Sequence, residues 1–113
     1  ITFDLPKPIL FYCDEDMLFS VFSNILTNAI RYAKSSIVIS YQIKTEVLII
    51  WISNDGIISL EDLKHVFDRF YKGTKGQTGI GMALSLEYIR LHHGNIVVYT
   101  KENRTIFEIT IKK

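Results

Sequence analysis

The sequence predicts an α+β layer sandwich. Three observations carry this: β-branched runs arrive in two closely joined pairs, helical periodicities stand singly between them, and no regular βαβ alternation threads the chain. The first element is a short apolar run at 9–12 that ends at Asp14. A carboxylate there accepts hydrogen bonds from the first unpaired amides of a helix, so a helix is predicted from 14 to about 33. Within it Met17, Leu18, Val21, Phe22, Ile25, Leu26, Ala29 and Ile30 recur at three- and four-residue spacing and form its buried face. Two strands follow at 36–43 and 46–53, with Lys44 and Thr45 as the turn of a hairpin. Ser59 precedes Asp62 by three positions, a capping-box spacing that predicts a short helix to about Val66. A further helix fits 81–93, where Met82, Leu84, Ser85, Tyr88, Ile89 and His92 give the pattern and Gly94 supplies a left-handed stop. The last hairpin joins "NIVVYT" to "TIFEITI" through "KENR".

Composition limits the function classes. With 113 residues and 48% hydrophobic content, one domain spanning 1–113 can bury a core without disulfides or metal staples. Thirteen Lys and Arg against 12 Asp and Glu leave a formal charge of +1, with no basic run of the kind that binds nucleic acid. The single Cys13 has no cation beside it to activate a thiol and is expected to be structural, in a reducing compartment. The strongly apolar run "VLIIWI" is far short of the ~20 residues of a spanning helix. The chain opens at "ITFDLPKPILFYCD" without an initiator Met or a signal pattern, which is the expectation for a soluble domain excised from a longer protein.

Two constellations carry chemistry. Gly76, Gly79 and Gly81 stand just ahead of the predicted helix at 81–93. They lack the Gly-Lys-Ser/Thr of a P-loop and the strand-led spacing of a dinucleotide fold, so by themselves they are either a turn entering a helix or a backbone able to approach phosphate. Asn24 and Asn28 lie four apart on one helix face, and Arg31 continues it. Such a stripe is either a solvated face or a site, since Asn oxygens suit a hard cation such as Mg²⁺ and Arg suits a phosphate oxygen.

Together the motifs resemble a known family. "NILTNAIRYA" is similar to the N box of the catalytic, ATP-binding domain of two-component sensor histidine kinases, "VFDRFYKG" to its phenylalanine box, and "GQTGIGMAL" to its second glycine box. "ISNDG" occupies the place of the first glycine box, and the four fall in the family's order across nearly the whole chain. The resemblance implies a Bergerat α/β sandwich, with a mixed sheet under three helices, as in gyrase-type (GHKL) ATPases. It implies ATP and Mg²⁺ as cofactors, with Asn28 as the metal ligand, Asn24 helping to position metal or phosphates, and Arg31 on phosphate. Tyr32 would stack near the adenine, and Asn54 in "NDG" with Gly56 would read its amino group through the Asn54 oxygen, Asp55 being the alternative acceptor. Phe67 and Phe70 would pack the base of a lid at 71–78. In it Lys72 and Lys75 are either solvated or on phosphate, while Gly76, Thr78, Gly79, Ile80 and Gly81 close on the phosphates.

Position 24 chooses among relatives, because the ATP-hydrolysing members carry a Glu there as general base and an amide takes no proton from water. Transfer of the γ-phosphoryl to a histidine is therefore the expected reaction. Neither His65, His92 nor His93 has the setting of a phosphoacceptor, and a histidine at a helix C-terminus has a sufficient structural role. The acceptor is expected on a separate dimerisation domain of the same protein, with a response regulator downstream. The isolated domain would be monomeric and the parent a homodimer anchored in the cell membrane, with this domain on the cytoplasmic side. Two alternatives stay open: an ATPase or protein serine kinase of the same superfamily, and a degenerate nucleotide-binding or docking module, which Asn54 and Ile58 (in place of the second glycine of the first glycine box) would favour.

Overall fold

The computed structural model describes residues 2–4, 15–68 and 81–112. Its elements run β1 (Thr2–Asp4), α1 (Glu15–Tyr32), β2 (Ile37–Lys44), β3 (Val47–Asn54), α2 (Leu60–His65), α3 (Gly81–Leu91), β4 (Gly94–Lys101) and β5 (Arg104–Lys112). One five-stranded sheet has the order β1-β2-β3-β5-β4. Three pairings are antiparallel and β1 joins β2 in parallel, so the sheet is mixed. Among the described residues α1 and α3 pack side by side on one of its faces, which is the expected layer sandwich.

Period-two patterning decides which face is covered. Thr105, Phe107, Ile109 and Ile111 of β5 point inward and are at most 1% exposed, while the residues between them are half-buried on the outer face. Ile39, Ile52, Phe107 and Val98 form one row across the sheet, and Ile37, Asn54, Thr105 and Thr100 form another at its end. The inner face is thus apolar along most of its length and turns polar at the row holding Asn54 and Thr105. Opposite it, Leu18, Val21, Ile25 and Ala29 of α1 and Met82 and Ile89 of α3 complete the core.

Three details differ from expectation, and the last hairpin turns where the sequence predicts. Ile30, assigned to the buried face of α1, is 58% exposed. At 3.6 residues per turn it falls about 140° round the helix from the fully buried Ile25, beyond the width of the apolar stripe. Gly94 is not the left-handed stop of α3. That conformation belongs to His93 (φ 60°), and Gly94 begins β4, where a Cβ would lie 2.1 Å from the Thr110 carbonyl oxygen. The strand at the sheet edge is 2–4, a segment for which no element was predicted, and the apolar run at 9–12 and the Asp14 cap lie outside the described residues. The last hairpin turns at Glu102 and Asn103 (φ 52° and 62°), a two-residue turn with both centres left-handed that matches the twist of its strands.

Candidate functional site

The site is assembled from one face of α1, the turn after β3 and the first turn of α3. Asn24 is half-buried and its Nδ2 donates to the Gly81 carbonyl and to Ser85 Oγ, both at 3.2 Å. Ser85 Oγ in turn donates to the Gly81 carbonyl at 2.8 Å. This clamp holds the start of α3 against α1, and the approach is close: a Cβ at Gly81 would sit 3.1 Å from Asn24 Oδ1, so that side chain would have to give slightly. A carboxylate in place of Asn24 could not donate to that carbonyl. One turn on, Asn28 is 4% exposed, and its Oδ1 has no hydrogen-bond partner among the described residues. Buried acceptors without partners are rare, because each costs about 1–3 kcal/mol. Arg31 follows, half-buried in the last turn of α1.

Around the turn after β3 the polar groups are tightly allocated. Asn54 is 1% exposed; its Oδ1 accepts the Gly56 N–H at 2.8 Å, and its Nδ2 is buried without a partner among the described residues. Thr105 Oγ1 donates to the Gly56 carbonyl at 2.8 Å and accepts the Ile58 N–H at 3.4 Å. The Ile58 side chain is 3% exposed and contributes apolar burial. Gly56 itself lies against the end of α1: a Cβ there would be 1.7 Å from the Tyr32 carbonyl oxygen. Tyr32 is buried and its hydroxyl donates to Asp62 Oδ2 at 3.2 Å, tying α1 to α2.

Asp55 faces the loop after α1. Its carboxylate accepts the Lys34, Ser35 and Ser36 amides at 2.8–3.2 Å and the Ser35 hydroxyl at 2.7 Å. The Ser35 hydroxyl first, and then these amides, hold its pKa well below the usual carboxylate range. A depressed folded pKa means that the contribution to stability is present above the ordinary value of 3.8 and is lost as pH falls through the folded value. Arg104 closes the same rim, donating from Nε to Ser53 Oγ (3.2 Å) and from Nη2 to Ser36 Oγ (3.3 Å).

His65 ends α2, with Nδ1 2.6 Å from Asp68 Oδ2 and Nε2 3.3 Å from Glu61 Oε1. The hydrogen bond to Asp68 is the main cause of a pKa raised above 6.5. A raised folded pKa stabilises fully below 6.5 and is lost as pH rises through the folded value. The expected NMR titration of His65 therefore has its midpoint above 6.5, and Asp68→Asn lowers it; a midpoint unmoved by that substitution would remove the pairing.

The structure thus brings Asn24 to Gly81 and, separately, Tyr32 to Gly56 beside Asn54; α1 carries Asn28 and Arg31 along with both, while Asp55 is spent on the loop at 34–36. Phe67 is half-buried against the core. Phe70, Lys72, Lys75, Gly76, Thr78, Gly79 and Ile80 lie outside the described residues. Three participants escaped the sequence reading as site residues: Asp62, Ser85 and Thr105, each at most 1% exposed. Thr105 had a signal, being the polar member of the inward series 105, 107, 109 and 111, whereas Asp62 and Ser85 look like ordinary helix residues until packed.

The donor set fits a hard cation bound chiefly through a nucleotide. Among the described residues no group of three His, Cys, Asp or Glu could hold a metal by itself. Asn28 Oδ1 is one neutral oxygen in need of a partner, and Mg²⁺ takes one or two protein oxygens and fills the rest with phosphate and water.

Residues 13–113 match the family model described as histidine kinase-, DNA gyrase B-, and HSP90-like ATPase. The chain is 36% identical over 115 residues to the heme sensor protein HssS of Staphylococcus epidermidis, covering 98% of this chain and 25% of that protein. It is 34% identical over 105 residues to the sensor protein kinase WalK of Staphylococcus aureus, covering 82% of this chain and 25% of that protein. The chain therefore spans about a quarter of the length of these curated relatives. Among solved structures, the catalytic domain of histidine kinase ThkA in a nucleotide-free form superposes with a TM-score of 0.86 at 24% identity, over 99% of this chain and 78% of that one. The histidine kinase AdeS of Acinetobacter baumannii does so with a TM-score of 0.75 at 27% identity, over 97% of this chain and 52% of that one.

Proposed function

Since the chain belongs to the histidine kinase-, DNA gyrase B- and HSP90-like ATPase family, we propose that it binds Mg·ATP at this site and delivers the γ-phosphoryl to a histidine on a separate domain of the same protein. The observation that carries the reading is the buried oxygen of Asn28, without a partner among the described residues and one turn from an amide where a hydrolase would need an acid. Asn28 Oδ1 would hold the metal, with Asn24 beside it and Arg31 available to a phosphate oxygen. A metal held there would supply charge neutralisation for the transferring phosphoryl group. The chain's own groups orient the phosphates, and Asn24 keeps the start of α3 in place while offering no base to activate water. The acceptor imidazole attacks the γ-phosphorus with its free nitrogen lone pair. A P–N bond forms as the P–O bond to the β-phosphate breaks, ADP leaves, and the imidazole returns to neutrality by releasing its ring proton.

In this reading the parent is a homodimeric sensor kinase in the cell membrane, the domain lies on the cytoplasmic side, and a response regulator receives the phosphoryl group. The test is transfer from labelled ATP to the parent's own dimerisation domain added in trans. Acid-labile, alkali-stable label on that domain is expected, with little release of inorganic phosphate in its absence. Rapid phosphate release without an acceptor would favour the ATPase alternative, and no nucleotide binding at all would favour a docking module.

A further inference from the structure

We infer that this chain reads the purine 6-position with a hydrogen-bond donor, the Asn54 amide nitrogen, and so accepts 6-oxopurine nucleotides as well as adenine nucleotides. The inference rests on the nucleotide-binding reading above and concerns which base that site takes.

A primary amide has one acceptor end and one donor end, and whichever is used internally leaves the other for a ligand. In Asn54 the internal partner is a donor: the Gly56 N–H, 2.8 Å from Oδ1. That bond assigns the amide orientation, because a flip would set NH₂ against N–H. The group left over is Nδ2, buried and without a partner among the described residues in a side chain that is 1% exposed. A carboxylate at this position would accept the same N–H with one oxygen and still present a second acceptor. The amide presents a donor instead.

The neighbouring acceptors do not make up the difference. Thr105 Oγ1 is engaged with the Gly56 carbonyl and the Ile58 amide, and the Asp55 carboxylate with residues 34–36. Adenine carries an amino donor at C6 beside the acceptor N1. Hypoxanthine carries an oxo acceptor at C6 beside the donor N1–H. A fixed N–H facing the 6-position opposes the 6-amino group and matches the 6-oxo group. Adenine is still accommodated through N1 after a small in-plane shift, so selectivity between the two bases is relaxed. Matching or mismatching one buried donor changes relative affinity by roughly ten- to hundredfold.

The test compares ADP with IDP, which differ only at the 6-position and N1, by calorimetry with Mg²⁺ on the chain and on its Asn54→Asp variant. The expected result is binding of both by the unaltered chain, with IDP at least as tight as ADP. In Asn54→Asp the preference should move toward ADP by about tenfold or more. An unaltered chain that prefers ADP over IDP by more than about thirtyfold would show that Oδ1 takes the amino group and would overturn the inference. An ADP-to-IDP ratio unchanged in Asn54→Asp would overturn it too, while leaving nucleotide binding intact. Binding of neither nucleotide would overturn the nucleotide reading itself, an outcome distinct from both.

Discussion

Asn28→Ala is expected to abolish Mg²⁺-dependent nucleotide binding while leaving the fold unharmed. Nucleotide affinity with Mg²⁺ should fall by about 100-fold or more, since loss of groups that merely support a metal ligand already costs up to that much. Affinity without Mg²⁺ should change little. The reason lies in two opposed terms at one atom. Asn28 Oδ1 is buried with no partner among the described residues, so the ligand-free protein carries a destabilising feature that a ligand relieves. Alanine removes that unsatisfied acceptor, worth about 1–3 kcal/mol, and leaves a small void of comparable cost. The melting temperature of the free protein should therefore move only slightly, while its rise on adding Mg·ADP disappears. Equal Mg²⁺-dependent affinity in the variant would take Asn28 out of the site.

Gly56→Ala should have the opposite profile, a large loss of stability whether or not ligand is present. The added methyl would lie 1.7 Å from the Tyr32 carbonyl oxygen and 2.5 Å from its carbon, both of them backbone atoms at the end of α1. Neither can rotate away as a side-chain tip can, so the turn must retreat. Retreat breaks the bonds from Gly56 N–H to Asn54 Oδ1 and from Thr105 Oγ1 to the Gly56 carbonyl. Overpacking of this kind costs about 3 kcal/mol, a large part of the 5–15 kcal/mol that holds a typical domain together. Chemical denaturation should show a lower midpoint with an unchanged slope. A midpoint within experimental error of the unaltered chain would mean that the turn has slack that these contacts do not reveal.

Much of this was legible because it rests on period and spacing. The alternation in "TIFEITI" and the three- and four-residue repeats of α1 announce the two layers, and Asn24, Asn28 and Arg31 share a helix face by their spacing alone. The capping role of Ser59 was legible too: its hydroxyl accepts the Asp62 N–H at 3.1 Å, as a Ser three residues ahead implies. What stayed hidden depends on which partner a polar atom finds across the fold. Asp55 offered itself as an alternative acceptor for a base, and only the packed structure reveals that the loop at 34–36 claims it. Gly94 read as a helix stop because Gly usually is one, yet the tertiary approach of Thr110 to β4 gives it a different reason to lack a side chain. The two amides of Asn24 and Asn54 look alike in sequence. Their tasks differ because one NH₂ finds the Gly81 carbonyl and Ser85 while the other finds no described partner.

The bonds made by Asp55 and Arg104 have a consequence for how ligand exchange divides. Residues 34–36, 53–55 and 104, which come from three distant stretches of chain, are fastened to one another at the rim. Groups already held in place lose little freedom when a ligand arrives. That side of the molecule therefore behaves as a rigid bed. Under the proposed function, little of the entropy lost on nucleotide binding is lost at this rim.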